Sequence, residues 1–244
     1  MPYANNNGVQ IRYEVYGQGE PLVLIHGWPC EGRYWREFGY MPTLSGEFMV
    51  IVPDLRAHGS SDTPQSRDFS DAAFASDVIA VLDDAGIDSA HVFGYSLGGW
   101  VVFELAANHQ PRIRTAIIGG AHPYAEDLSA IRSFSPHDLV SYWEALGAPL
   151  SEDSKRRIVA FNQQALAEMI PDRIDKAGRL AHLGGRCLMI CGTDDWRFED
   201  MRRLAATNDR CTFVPVQDAD HLQTWLRSDR LVSEVQGFLR AVVT

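Results

Sequence analysis

The sequence has little positive charge and almost no lysine. It carries 22 Lys and Arg against 32 Asp and Glu, a formal net charge of −10, and Lys155 and Lys176 are its only lysines. An acidic balance argues against a nucleic-acid partner, whose phosphates it repels. It says little about a small neutral substrate. Cysteine is also scarce. Cys30, Cys187, Cys191 and Cys211 form no dense framework and show none of the paired short spacings that zinc wants, so they read as reduced thiols and no metal is expected. No apolar run is long enough to span a bilayer. The first residues, "MPYANNNGVQIRY", lack the basic stretch and apolar run of a signal peptide. These absences lead to the expectation of a soluble, cytoplasmic protein with no nucleic-acid or membrane partner. They fix no oligomeric state.

Apolar residues make up 45% of the 244 positions, enough for a sizeable core. The length fits one α/β domain, with or without a small insertion. Residues 9–17 alternate apolar and polar side chains, as a half-exposed strand does. Continuous apolar runs at 21–27, 48–54, 90–94, 113–120, 185–192 and 210–216 suit the buried centre of a parallel sheet. Helical spacing falls between them, at 33–45, 71–86 and 97–109, and again at 221–243. Strands alternating with helices predict a parallel sheet covered on both faces.

One stretch breaks the alternation. From 122 to 182 there are helical segments and no convincing strand. Residues 135–146 open with a capping signal, Ser135 followed by Pro136, and 151–170 form a longer amphipathic piece. The expected division is a core of residues 1–121 and 183–244 with a helical lid of residues 122–182.

The most specific local signal is "HVFGYSLGGW" at 91–100. Residues 94–98 match G-x-S-x-G, with a strand before the motif and a helix after it. A nucleophilic serine at such a turn has its oxygen exposed on a strained backbone. The following helix N-terminus offers free N–H groups to an oxyanion. Ser96 is therefore the candidate nucleophile, since a serine that only caps a helix leaves the crowd of glycines unexplained.

Here the sequence resembles the α/β-hydrolase superfamily, over nearly its whole length. "HGW" (26–28) is similar to the family's oxyanion loop. "DLRAHGSSD" (54–62) is similar to the segment after the next strand, with Ala57 where glycine is commoner. "GYSLGG" (94–99) resembles the nucleophile elbow, "GTDD" (192–195) the acid turn, and "DADH" (218–221) the histidine loop. The order Ser…Asp…His is the one the family uses.

The resemblance implies the remaining roles. His221 is the general base and then acid. The family spacing G-x-x-D selects Asp195 as the acid that orients it, with Asp194 as a turn residue. The backbone N–H groups of Leu97 and Trp28 form the oxyanion hole. Trp28, Tyr95, Trp196 and Trp225 stand beside catalytic positions, and Phe134, Tyr142, Trp143 and Phe161 belong to the lid. Together they imply an apolar pocket for a small-molecule substrate. His122, at a strand end, is a further pocket candidate. Arg132, Arg156 and Arg157 read first as a solvated face, with contact to an acidic substrate as the alternative.

The implied activity is hydrolysis of a small, mostly apolar carboxylic ester or lactone through an acyl-enzyme, with no cofactor. Perhydrolysis and carbon–carbon bond hydrolysis use the same triad and stay open, as does a ligand receptor on a hydrolase scaffold. Serine at the elbow counts against the related haloalkane dehalogenases and epoxide hydrolases, which use aspartate there. Hydroxynitrile lyases usually recruit a lid lysine, and the two lysines here lie in polar surroundings.

Overall fold

The computed structural model describes residues 1–161, 163–178 and 185–243. Among these residues eight strands form one sheet: β1 Tyr3–Asn6, β2 Val9–Tyr16, β3 Glu20–Ile25, β4 Phe48–Pro53, β5 Ala90–Tyr95, β6 Ile113–Gly119, β7 Cys187–Gly192 and β8 Cys211–Val216. The spatial order is β1-β2-β4-β3-β5-β6-β7-β8. Strands β1, β2 and β4 pair antiparallel. From β4 through β3, β5, β6 and β7 to β8 every pairing is parallel.

The apolar runs explain this order. All six residues of β5 and of β7 are buried, as are Leu22 to Ile25 of β3. Strands with both sides apolar need helices on both faces. The long covering helices are α3 Asp71–Asp84, α4 Leu97–Asn108 and α11 Ser228–Val243. The chain runs from β3 outward to β4 and later returns to β5 on the other side of β3. Such a switch opens a crevice at the carboxyl ends of the central strands.

Several expected helices divide. The 33–45 segment is two short helices, α1 Arg33–Glu37 and α2 Met41–Leu44, separated by a turn at Gly39. The terminal region is α10 His221–Leu226 followed by α11. The chain bends at Arg227, whose guanidinium donates to the carbonyls of Gln217 and Asp218.

Between β6 and β7 lie α5 Ser129–Arg132, α6 Pro136–Ala145, α7 Glu152–Val159 and α8 Gln163–Glu168. The expected 151–170 helix is thus interrupted. Ser135 begins α6 as the sequence suggests. It accepts from the Asp138 N–H while the Asp138 carboxylate takes the Ser135 N–H, a reciprocal cap. Entry to and exit from this helical segment are tied together by one antiparallel bridge, Glu126 to Arg173. The expected boundary at 182/183 lies outside the described residues.

Candidate active site

The turn from β5 into α4 is forced by close packing. A β-carbon on Gly94 would lie 2.1 Å from the Gly98 carbonyl oxygen, and one on Gly98 would lie 2.1 Å from that of Ile25. No side chain fits either place. Ser96, between them, has φ 55° and ψ −115°. That is a strained backbone for a non-glycine residue. It is held there by the Ser96 N–H, which donates to the Gly119 carbonyl at 2.8 Å.

The "HGW" loop faces this turn. A β-carbon on Gly27 would be 3.2 Å from Ser96 Cβ and 3.8 Å from its Oγ. His26 anchors the loop. It is fully buried, with Nδ1 2.8 Å from the Gly27 carbonyl and Nε2 accepting from the Leu55 N–H at 3.0 Å. Burial lowers its pKa to about 4, so the ring is neutral. His58 lies beneath it, ring centroids 5.1 Å apart, and burial pushes it down to about 3. Leu97 is the first residue of α4, where a helix N–H has no partner within the helix.

His221 begins α10, on the capping residue Asp220, which accepts from the Gln223 N–H. Its Nδ1 is 2.7 Å from Asp195 Oδ2. The other carboxylate oxygen of Asp195 accepts from the Arg197 N–H at 3.0 Å. Burial of the Asp195 carboxyl would raise its pKa, but His221 and Arg197 outweigh that and hold it at about 2. Asp194 is exposed, and its Oδ1 accepts from Thr193 Oγ1 at 3.3 Å. Geometry therefore brings Asp195, not Asp194, to the imidazole.

Ser96, His221, Gly27, Trp28 and Tyr95 line one cavity of about 480 Å³. Phe134, Tyr142, Trp143, Trp196 and Trp225 line it too, together with Ile131, Leu139, Ile170 and Leu222. Phe134, Tyr142 and Trp196 are exposed at its mouth, whereas Trp143 is buried against Tyr34, Phe38 and Trp225. Tyr95 is nearly fully buried, and its hydroxyl donates to the His221 carbonyl at 2.6 Å.

Two expected pocket residues are elsewhere. Phe161 lines a separate cavity of about 220 Å³ with Pro29, Glu31, Tyr34 and Arg157. His122 is buried beside Trp100 and Tyr124, with Nε2 3.6 Å from Asp200 Oδ2, and does not line the catalytic cavity. Position at a strand end puts a residue near the site but does not say which side of the backbone it occupies. The sequence reading also passes over Glu126 and Arg197. Arg197 lines the cavity, and its guanidinium binds both oxygens of the Glu126 carboxylate. Their separation of 71 positions leaves no sequence signal for the pair. Among the described residues no three His, Cys, Asp or Glu side chains converge as metal ligands. No helix among them is long and apolar enough to cross a membrane.

Comparison with known proteins agrees with this architecture. The family described as having the alpha/beta hydrolase fold matches residues 20–170. The soluble epoxide hydrolase of Corynebacterium sp. (strain C12) is 37% identical over 112 residues, 46% of this chain and 38% of that protein. The pimeloyl-(acyl-carrier protein) methyl ester esterase of Aeromonas hydrophila is 33% identical over 148 residues, 61% of this chain and 56% of that protein. The matches thus cover about half of these curated relatives' own length. Among solved structures, the enol-lactonase from Burkholderia xenovorans LB400 has a TM-score of 0.84 at 24% identity, over 98% of this chain and 100% of that one. At that identity the likeness is one of fold.

Proposed function

Since the chain belongs to the alpha/beta hydrolase fold family, we propose that it is a serine hydrolase of small, mostly apolar carboxylic esters or lactones. One observation carries the reading. Ser96, on a strained turn at a helix N-terminus, shares a cavity with an imidazole whose Nδ1 is 2.7 Å from a buried carboxylate. That arrangement suits acyl transfer.

In this mechanism Ser96 Oγ attacks the substrate carbonyl carbon while His221 Nε2 takes its proton. Asp195 accepts from Nδ1, which fixes the tautomer and stabilises the imidazolium. Negative charge develops on the carbonyl oxygen, where the N–H groups of Leu97 and Trp28 receive it. The imidazolium returns its proton to the leaving alkoxide, and an acyl-Ser96 ester remains. Water then attacks that ester, with His221 as base again, and the carboxylic acid leaves. The helices between β6 and β7 act as the lid that supplies the apolar wall.

The cavity supports the substrate class. Among the described residues its wall is mostly aromatic and aliphatic; of the charged side chains on it, Arg197 is paired with Glu126, and Asp127 is exposed and takes the Ser129 N–H. An uncharged acyl group is therefore favoured over a substrate with a charged tail. The name of the Aeromonas hydrophila relative, a methyl ester esterase, points the same way. Turnover of a panel of p-nitrophenyl esters, lactones, amides and diketones tests the proposal. Many turnovers on esters or lactones support it. A single slow covalent event with no turnover favours a ligand receptor instead, and turnover of diketones alone favours carbon–carbon bond hydrolysis.

A further inference from the structure

Arg197 stands on the acid turn with its charge against the imidazole. Its Nη1 is 3.3 Å from His221 Nδ1. That nitrogen cannot accept from it while its own proton is directed to Asp195 at 2.7 Å. The contact is therefore a cation beside a ring that must become a cation. Arg197 is also nearly fully buried, so water screens the repulsion little.

Glu126 answers that charge. Its two carboxylate oxygens lie 2.8 Å from Nη2 and 3.0 Å from Nε of Arg197, and its side chain is only 8% exposed. It accepts from the Trp196 indole at 2.8 Å as well. Its backbone exchanges hydrogen bonds with Arg173, the bridge that joins entry and exit of the helical segment. Among the described residues, the other charged groups around the site are engaged elsewhere: Asp127 on the cavity wall takes the Ser129 N–H, and the buried Arg173 guanidinium, whose charge reaches Glu126 and Arg197, is paired with Asp71. The Tyr95 hydroxyl donates to the His221 carbonyl, and the Asp220 carboxylate takes the Gln223 N–H and the Tyr142 hydroxyl. His122 packs against Trp100 and Tyr124 with Asp200 at 3.6 Å, and burial lowers its pKa.

We propose that Glu126 and Arg197 form a positioning unit for His221 and Asp195, in which the Arg197 backbone N–H aligns the Asp195 carboxylate and Glu126 neutralises the Arg197 guanidinium so that the imidazolium can form. The inference rests on the reading of His221 as general base. It adds that the base is tuned from the start of the helical insertion, by a residue that touches neither substrate nor the reacting atoms.

The test follows His221 in the full chain by NMR titration of its ring, together with the pH profile of kcat/KM on p-nitrophenyl butyrate. Glu126→Gln removes the carboxylate paired with Arg197 and leaves its cation against the imidazole. It should lower the His221 pKa, and with it the acid limb, by about one unit. Arg197→Gln removes that cation and leaves Glu126 with only the more distant charge of Arg173, and should move both upward. The double variant should return close to wild type, and Glu126→Asp should recover most of the effect of Glu126→Gln. A pair that merely braces the fold would instead lower activity in both single variants, further in the double, and leave the titration unmoved. Shifts of the same sign, or none, overturn the proposal. Should Glu126→Gln fold poorly, Arg197→Lys still decides. It keeps the charge and loses the paired geometry, so it should lower kcat with little movement of the acid limb, and a large movement overturns the charge argument. Because the titration reads His221 directly, it stands even if no ester turns over. That failure would count against the hydrolase reading alone.

Discussion

Gly120 lies so close beneath His221 that a β-carbon on it would sit 2.7 Å from the imidazole Cε1 and 2.8 Å from Nδ1. Gly120 also has φ +56°, in the left-handed region. Both facts require glycine. Gly120→Ala should displace the ring from Asp195 and cost at least about a hundredfold in kcat/KM, since a misplacement of about 1 Å carries that penalty. The strained backbone should cost a further 1–2 kcal/mol of stability, roughly. Ester kinetics and a denaturant melt on the same sample separate the two. Near wild-type turnover would mean that the imidazole position does not depend on this contact.

The two neighbouring aspartates should differ sharply. Asp195 is buried on His221, whereas Asp194 is exposed. Asp195→Asn should lower kcat by on the order of 10⁴, through the wrong tautomer, and Asp194→Asn by less than about threefold. The reverse ranking would assign the acid to Asp194.

Much of this site is legible in the sequence, because the constraints that make it are local. The crowding that excludes side chains at Gly94 and Gly98 comes from within the turn and from the adjacent strand end, so the glycines themselves record it. Buried parallel strands announce themselves as apolar runs. Other features depend on what arrives from far along the chain. The outward-facing choice between Phe134 and Phe161 is made by how the helices pack, and only Phe134 reaches the catalytic cavity. Glu126 and Arg197 meet only after folding. Strand β1 had a usable signal that the alternation from residue 9 does not include. Asn7 and Gly8 both have positive φ, and Asn-Gly between two strands is a tight hairpin turn. Ala57 shows the opposite case. It replaces the glycine of the resembling motif and yet adopts φ 61°, so the fold imposes the turn on a residue that resists it.

The cavity wall should set chain-length preference. Each added methylene should raise kcat/KM on acyl esters about fourfold, from about 0.8 kcal/mol of burial, until the cavity is full. Phe134→Ala and Tyr142→Ala enlarge the mouth and should shift the optimum to longer chains. Phe161→Ala should leave it in place, because that ring lines the other cavity. A flat chain-length profile, or an optimum that moves with Phe161 and not with the other two, contradicts this assignment.

The buried histidines make stability depend on pH. His26 and His58 are held neutral, with pKa values lowered to about 4 and about 3 by burial. In the unfolded chain both take the ordinary value of about 6.5. Below about pH 6.5 the unfolded state binds protons that the folded state refuses. Stability is therefore fully present above that pH and is lost as pH falls towards 4 and 3, by about 1.4 kcal/mol per pH unit for each ring. Denaturant melts between pH 7 and 4.5 should show this slope, and His58→Asn should reduce it. A slope unchanged in the variant would mean that other groups set the acid limit.

The central claim is that Ser96 is a nucleophile activated by His221. Intact-mass spectrometry after reaction with a small fluorophosphonate reads it most directly. The account predicts one added phosphonyl group per chain, mapped by peptide digestion to Ser96, and none in a folded Ser96→Ala variant. Persistent labelling in that variant, or an unlabelled wild-type chain, would contradict it.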